Sequence, residues 1–361
     1  MSKPVVMHVH FWGDVRRQSG SVDKVIAAFS EMDDSAFTVE IACLGEGQAE
    51  PYGRAMLYPF AEDRLKNKLG NKLLGLKLFT FSRLVSLINQ RRPALLHIHN
   101  RHALVDRLVA GLGYRPRVLC HYHRKFGEFL VPDSADALIV VSAAVRDALI
   151  AACAPTVPVE VVYNPVPAGV AANEPLPLGG RKPRLLYGGG RQKNKGFLEL
   201  EAALSSSGLA DCFEIVLCGP EFADYLPPFP ARVAGMLAAS EFLAEMTQAD
   251  IVSMPSHHEG FSILALEALG MGKLLVATCG GGLGEILNEQ NSLIHEIADA
   301  ADLAEKLQLA AHLMQPASWP ERLSRRQDAL QTAARFSVRA INRDLAAVYR
   351  RYLGLQEEGS I

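Results

Sequence analysis

Residues 254–287, MPSHHEGFSILALEALGMGKLLVATCGGGLGEIL, decide how the rest of the chain is read. Ile251 to Met254 is short and apolar, and Pro255 and Ser256 stop it, which is the pattern of a buried strand. Ser262 then precedes residues 263–271, an apolar run of helix formers, so a helix N-terminus falls at Ser262 with its hydroxyl as the cap. The unpaired N–H groups and positive dipole end of such a helix attract a phosphate, and Gly260 leaves the preceding loop open to close approach. Two carboxylates flank this position: Glu259 just outside the helix, and Glu267 about one and a half turns into it. Carboxylates accept paired hydrogen bonds from vicinal hydroxyls, so the spacing suits a nucleotide sugar, with hexose on the Glu259 side and ribose on the Glu267 side.

A chain of 361 residues exceeds one ordinary domain and predicts two, each with its own core. With 49% hydrophobic and 21% charged residues the composition is that of a globular protein. A net charge of -2 gives no case for nucleic-acid binding. The six cysteines are scattered, with no C-x-x-C pair, and the opening MSKPVVMHVH is too short in its apolar part for a secretion signal, so a reduced, cytoplasmic setting is expected. No apolar run reaches the roughly 18 residues that span a bilayer.

Taken in order, residues 5–11 predict a strand, 12–21 a loop and 22–32 a helix. Further strands are expected at 39–44, 94–98, 117–122 and 137–141, the last followed by a helix capped by Ser142. Strands alternating with helices predict a parallel α/β sheet. The first loop, GDVRRQSGS at 13–21, is not the G-x-G-x-x-G fingerprint, which argues against an ordinary nicotinamide enzyme. Residues 64–92 carry eight basic residues and no acidic one, interleaved with apolar side chains. Such a basic amphipathic face suits anionic headgroups, each cation near the surface being worth about 1 kcal/mol; packing on the sheet is compatible with that. His8/His10, His97/His99 and His121/His123 form three H-x-H pairs at predicted strand ends. Residues i and i+2 share a strand face, so metal chelation is considered, but no Cys, Asp or Glu joins them at ligand spacing and no metal is expected.

The composition changes at 164–183, NPVPAGVAANEPLPLGGRKP, which predicts a linker. Arg184 to Tyr187 then forms a strand that runs into GGGRQKNKGF at 188–197. Glycines there let the backbone approach a ligand, and Arg191, Lys193 and Lys195 supply positive charge; it is not a Walker loop. A strand at 213–218 ends in Gly219-Pro220, and 226–235 reads as irregular. A strand at 292–294 and a helix at 300–314 follow. In the last helix Val338, Ile341, Leu345, Val348 and Tyr352 make one apolar stripe.

Glu259 and Glu267, with seven residues between them, the surrounding PSHHEGFSILALEALGMGKLLVA and the CGGGLGEIL after it resemble family 4 of the retaining glycosyltransferases with the GT-B fold. The resemblance implies two Rossmann-like domains facing a central cleft: an acceptor-binding domain at 1–165, a linker at 166–183, a nucleotide-sugar domain at 184–335, and a C-terminal helix at 336–361 that crosses back to the first domain. It implies catalytic roles for Glu259, Arg191, Lys195 (with Lys193 as the alternative diphosphate ligand) and His123 (with His121 as second choice). Donor binding falls to Gly189, Gly190, Gly219, Gly260, Phe261, Ser262, Ile263 and Glu267. The family's acceptor-side glycine pair reads Gly20-Ser21 here, a departure from the pattern. The chemistry implied is hexosyl transfer from a UDP- or GDP-sugar to a glycan or lipid-linked acceptor, with retention and with no metal or other cofactor. The basic face adds a peripheral contact with the inner face of a bacterial membrane and an acceptor in lipopolysaccharide, capsule or exopolysaccharide synthesis. The alternative is a catalytically decayed GT-B protein that acts as a binding or scaffolding partner.

Overall fold

In a computed structural model of the chain, residues 3–18, 20–61, 81–123, 129–172, 174, 177–206, 208–222 and 224–356 are described. They form two compact units: Met1–Val141, Val145–Tyr163 and Val338–Ile361 make the first, and Ser142–Ala144 with Asn164–Ser337 make the second.

The first unit runs β1 (Val5–His10), α1 (Ser21–Phe29), β2 (Thr38–Leu44), β3 (Glu50–Tyr52), β4 (Ala55–Phe60), α2 (Ser82–Arg91), β5 (Leu95–His99), α3 (Val105–Ala110), β6 (Arg117–Tyr122), β7 (Ala137–Val140), α4 (Ala143–Cys153) and β8 (Val159–Val161). Its sheet has the order β3-β4-β2-β1-β5-β6-β7-β8, parallel throughout except for the β3–β4 hairpin. The chain leaves β1 toward β2 and returns to its other side at β5, which puts a topological switch point at the C-terminal ends of those two strands. The inner strands are near-continuous apolar runs because helices cover both faces. The basic stretch at 64–92 falls largely outside the described residues. Of its described part, α2 buries Leu84 and Ile88, while Arg91 pairs with Glu40.

The second unit runs β9 (Arg184–Tyr187), α5 (Phe197–Ser205), β10 (Glu214–Cys218), β11 (Arg232–Gly235), α6 (Ala239–Gln248), β12 (Ile251–Met254), α7 (Ile263–Gly270), β13 (Leu274–Ala277), β14 (Ser292–Ile294), α8 (Ala300–Leu313) and α9 (Trp319–Arg335). Its sheet is parallel, in the order β11-β10-β9-β12-β13-β14, so its switch point lies between β9 and β12. Tyr187, Phe197, Leu217, Val276 and Leu307 belong to its core.

Three readings change. The stretch at 226–235 contains a strand, β11, which pairs with β10 across a register shift at Leu217/Cys218; prolines upstream of it conceal the pattern. Of residues 166–183, read as a linker, those described count with the second unit. Val166 N–H donates to the Phe336 carbonyl at 2.8 Å. A Cβ added to Gly270 would lie 2.7 Å from Val170 Cγ1 and 3.2 Å from Val166 Cγ1. The prolines prevent strand pairing, and the valines between them still pack. The C-terminal stretch divides two residues later than expected: Phe336 and Ser337 stay with the second unit, and α10 (Val338–Leu353) packs in the first, burying Ile341, Leu345, Val348 and Tyr349.

Candidate functional site

The switch point of the second unit gathers most of the residues singled out above. Ser262 caps α7, its Oγ accepting the Ala265 N–H at 3.3 Å. The N–H groups of Ile263 and Leu264 therefore open the first turn, ahead of the helix's own hydrogen-bond ladder. Glu267 is 2% exposed within α7. Glu259 sits in the loop between β12 and α7, and Lys195 Nζ donates to its Oε1 at 2.7 Å, with the side chains 29% and 15% exposed. Lys195 ends a single 3-10 turn, Lys193–Lys195. Lys193 is exposed, so the structure brings Lys195, not Lys193, to the glutamate.

Backbone contacts make these loops one body. Gly190 N–H donates to the Cys218 carbonyl at 3.2 Å and Arg191 N–H to that of Pro220 at 3.3 Å, so the loop after β9 lies along the turn after β10. Gly219, at φ +122, is where they touch: a Cβ there would be 2.5 Å from Gly190 N. Gly196 enters α5 at φ +69, and its Cβ would fall 1.9 Å from the Pro255 carbonyl oxygen. The glycine run at 280–282 follows the loop at 257–260 just as closely, and Gly282 N–H donates to the Glu259 carbonyl at 2.9 Å. Arg191 stacks its guanidinium over the Tyr225 ring at 4.7 Å. Phe261 is buried against Phe336, ring centroids 5.3 Å apart, so it supports the loop from behind.

Several supporting residues gave little or no signal in the sequence. Ser142 Oγ donates to the Gly260 carbonyl at 2.7 Å, and Asn164 Nδ2 donates to that of Phe261 at 3.1 Å. The Glu285 carboxylate accepts the N–H groups of Ala143 and Ala144 at 3.0 and 2.9 Å. His257 N–H donates to the Asn194 carbonyl at 3.0 Å, while its Nε2 meets Glu199 Oε1 at 2.9 Å. Each contact joins positions far apart in sequence, which spacing does not reveal.

The first unit holds the remaining candidates. Gly20 is the N-cap of α1 and donates its N–H to Asp23 Oδ2 at 3.0 Å; Ser21 is the first helical residue. Asp23 Oδ1 also meets His10 Nε2 at 2.9 Å. The H-x-H pairs lie on adjacent strands, where His8 is the register partner of His97, His10 of His99 and His99 of His121, so all face one side of the sheet. Five of these histidines form a single hydrogen-bonded chain through Tyr349 of α10. His121 Nδ1 meets His97 Nε2 at 3.0 Å, and His97 Nδ1 meets the Tyr349 hydroxyl at 2.5 Å. The same hydroxyl meets His8 Nε2 at 3.1 Å. His8 Nδ1 meets His99 Nε2 at 2.9 Å, and His99 Nδ1 meets His123 Nε2 at 2.8 Å.

Burial lowers the pKa of His8 to about 3 and holds His97, His99 and His121 well below the ordinary histidine value, so these rings are neutral. A neutral ring has one N–H, so every bond in the chain must point the same way. His121 Nε2, at the buried end, has no hydrogen-bond partner. A lone pair costs less there than an orphaned N–H. His121 therefore donates from Nδ1, and the direction carries through Tyr349 to His99, whose Nδ1–H donates to His123 Nε2. That leaves the His123 proton on Nδ1. Among the described residues, the trios His8/His97/His99 and His99/His121/His123 bring ring nitrogens within 4.8 Å of one another. The bonded pairs in the chain stand at 2.8–3.0 Å, closer than the roughly 3.3 Å between two nitrogens on one tetrahedral cation at ordinary Zn–N distances.

A six-stranded parallel sheet with glycine loops and a capped helix at its C-terminal edge, in a chain that carries a second α/β unit, defines a nucleotide-binding architecture of the GT-B type. Two family models match the chain: Glycosyltransferase Family 4 over residues 25–169 and Glycosyl transferases group 1 over residues 182–312. The chain belongs to the glycosyltransferases of family 4. A crystal structure of Anabaena HepE in complex with UDP is 18% identical, with a TM-score of 0.70, 96% of this chain and 99% of that one being covered. Other structures of the same protein carry UDP and glucose, or UDP-glucose. Sucrose-phosphate synthase from Thermosynechococcus elongatus is 16% identical with a TM-score of 0.75, over 98% of this chain and 100% of that one. These likenesses show the fold. Glycogen synthase from Mycobacterium tuberculosis is 42% identical over 74 residues, which is 20% of this chain and 18% of that protein.

Proposed function

We infer that the chain moves a hexosyl group from a nucleotide sugar, of the UDP or GDP type, to an acceptor hydroxyl with retention of configuration. The observation that carries this reading is the Lys195–Glu259 pair, 2.7 Å apart beside the capped N-terminus of α7. A diphosphate placed there meets the helix dipole, Arg191 and Lys195 together, while Glu259 and Glu267 are left for hydroxyls. As the glycosidic bond breaks, charge grows on the β-phosphate, where preorganised cations and N–H dipoles stabilise it. That phosphate can also take the acceptor's proton, so no protein base and no metal are needed in this scheme. His123 is assigned to the transferred sugar by the family resemblance, and an Nδ1–H would make it a hydrogen-bond donor there. The UDP and UDP-glucose held by HepE favour a UDP-sugar.

For the acceptor, the basic stretch at 64–92 supports a lipid-linked or envelope glycan at the cytoplasmic face of a membrane. Among the described residues no helix is long and apolar enough to cross a bilayer, so the contact proposed is peripheral. Flotation with vesicles containing anionic lipid should carry the protein up, and zwitterionic vesicles should not; equal partitioning would remove the membrane reading.

The donor reading is tested by thermal stabilisation with UDP, GDP, ADP and their sugar conjugates. A ligand at a hundred times its dissociation constant adds about 2.7 kcal/mol. One nucleotide family should stabilise, and Glu267→Ala should abolish the effect. No shift with any of them, together with a stable protein partner, would favour the scaffolding alternative.

A further inference from the structure

The sheet of the second unit has another edge. Its parallel strands all start on the side opposite the glycine loops, and there Arg184 of β9, Glu214 of β10, Asp250 before β12 and Leu274 of β13 line a cavity of about 500 Å³, together with Arg322, Arg325 and Arg326 of α9. Four-residue strands place it roughly 13 Å from the glycine loops at about 3.3 Å per residue. The volume lies within the range of small-molecule sites.

Its charge is unbalanced. Six cations line it, Arg181, Arg184, Lys273, Arg322, Arg325 and Arg326, against three carboxylates, Glu174, Glu214 and Asp250. Asp250 accepts two hydrogen bonds from Arg181, at 2.6 and 3.0 Å, and one from Arg184 N–H at 2.8 Å. Glu214 accepts from Arg184 at 2.5 Å. Arg322 comes only within 3.6 Å of Asp250, beyond hydrogen-bond reach, and its Nη1 is buried with no hydrogen-bond partner. Burial holds the Lys273 ammonium down to about 8; Asp250 opposes this, while repulsion from Arg322, Arg326 and Arg181 adds to it. Burial also lowers the pKa of Arg322. Desolvated cations of this kind are costly unless an anion meets them; Asp250 is already held by Arg181 and Glu214 by Arg184, and Lys273 Nζ donates to a neutral group, the Thr247 carbonyl, at 2.6 Å.

We propose that this cavity binds a small phosphate dianion, free or as a phosphate ester, held by Arg322 and Lys273 at the edge of the sheet opposite the glycine loops. The planar guanidinium fork suits a tetrahedral oxyanion, and a double negative charge offsets most of the surplus. The site stands whether or not the donor reading holds, because it shares no residue with the loops at 188–197 and 257–263.

The test is calorimetric and thermal titration of the full chain with inorganic phosphate against chloride at matched ionic strength, repeated with a hexose phosphate. Saturable binding is expected, weaker by about tenfold or more in Arg322→Met and in Lys273→Met, as loss of a charge-assisted hydrogen bond implies. It should persist in Arg191→Ala and Lys195→Ala, which strip cations from the glycine-loop edge. Tighter binding of the ester than of phosphate identifies the ester as the ligand; equal binding identifies phosphate itself. Absence of saturable binding overturns the proposal, and so does binding that disappears in Lys195→Ala or survives unchanged in both cavity variants. Should Arg322→Met fail to fold, Lys273→Met carries the test, its side chain being only partly buried.

Discussion

Lys195 and Glu259 hold each other at 2.7 Å, and in the transfer scheme proposed above both groups turn from this pair to serve a diphosphate and a hydroxyl. Removing the lysine takes one cation from the developing charge, so Lys195→Ala should lower kcat by about 10²–10³-fold. Lys193→Ala should change it little, since that side chain is exposed; steady-state rates with the donor found by the nucleotide screen decide between them. A second residue-scale prediction concerns Gly196. At φ +69, with a Cβ position 1.9 Å from the Pro255 carbonyl oxygen, alanine adds left-handed strain of about 1–2 kcal/mol and a backbone collision besides. Gly196→Ala should lower the melting temperature by several degrees or prevent soluble expression, while Gly179→Ala, with nothing within 4 Å but also at positive φ, should incur only the strain. Equal melting of the two variants would remove the contact argument.

Among the elements, α10 reaches furthest into chemistry, because it delivers the Tyr349 hydroxyl between His97 and His8. Tyr349→Phe leaves the helix packing nearly unchanged and cuts the chain, so His8 and His97 lose a buried partner at about 1–3 kcal/mol. In nitrogen-15 spectra of histidine-labelled protein, His123 should carry its proton on Nδ1 in the parent and keep it there in the variant, because His8 Nε2 then ends the remaining chain as a lone pair, as His121 Nε2 does in the parent; an Nε2–H in the parent would refute the chain's direction. The same histidines make stability depend on pH. His8, His97, His99 and His121 all have pKa values depressed in the folded state, so below about 6.5 the unfolded chain binds more protons than the folded one. Their stabilisation is complete above that pH and is lost as pH falls from there toward the folded values. Each contributes up to about 1.4 kcal/mol per pH unit. Melting should therefore fall steeply between pH 6.5 and 5, and a flat profile would contradict the burial of neutral rings.

At the scale of the molecule, a chain truncated before Val338 should lose the cooperative melting of the first unit, since Leu345 and Tyr349 are 0% exposed there, while the second unit keeps its own transition; calorimetry of the two forms tests this. The strand–helix alternation, the capped helix at Ser262 and the basic glycine loop after Tyr187 were legible in the sequence because each is set by neighbours a few residues apart: alternation by hydrophobic runs, the cap by one hydroxyl, the loop by glycines. They sufficed to give two parallel α/β units and to bring the glycine loop and the capped helix to one edge of the second sheet. Other features depend on positions that meet only after folding. Register alone stacks six histidines on one face of three strands, and only α10, arriving from the far end of the chain, makes Tyr349 the middle of their chain. Likewise, the family resemblance puts Lys195 ahead of Lys193, but only the 3-10 turn brings its ammonium to Glu259. The cations of the opposite edge come from loops, one strand start and one helix, and only folding leaves Arg322 Nη1 buried without a hydrogen-bond partner. Local propensity and periodicity act over a turn or a strand, whereas the partner of a buried polar group is chosen by tertiary contact, which the linear order of residues does not encode in any short window.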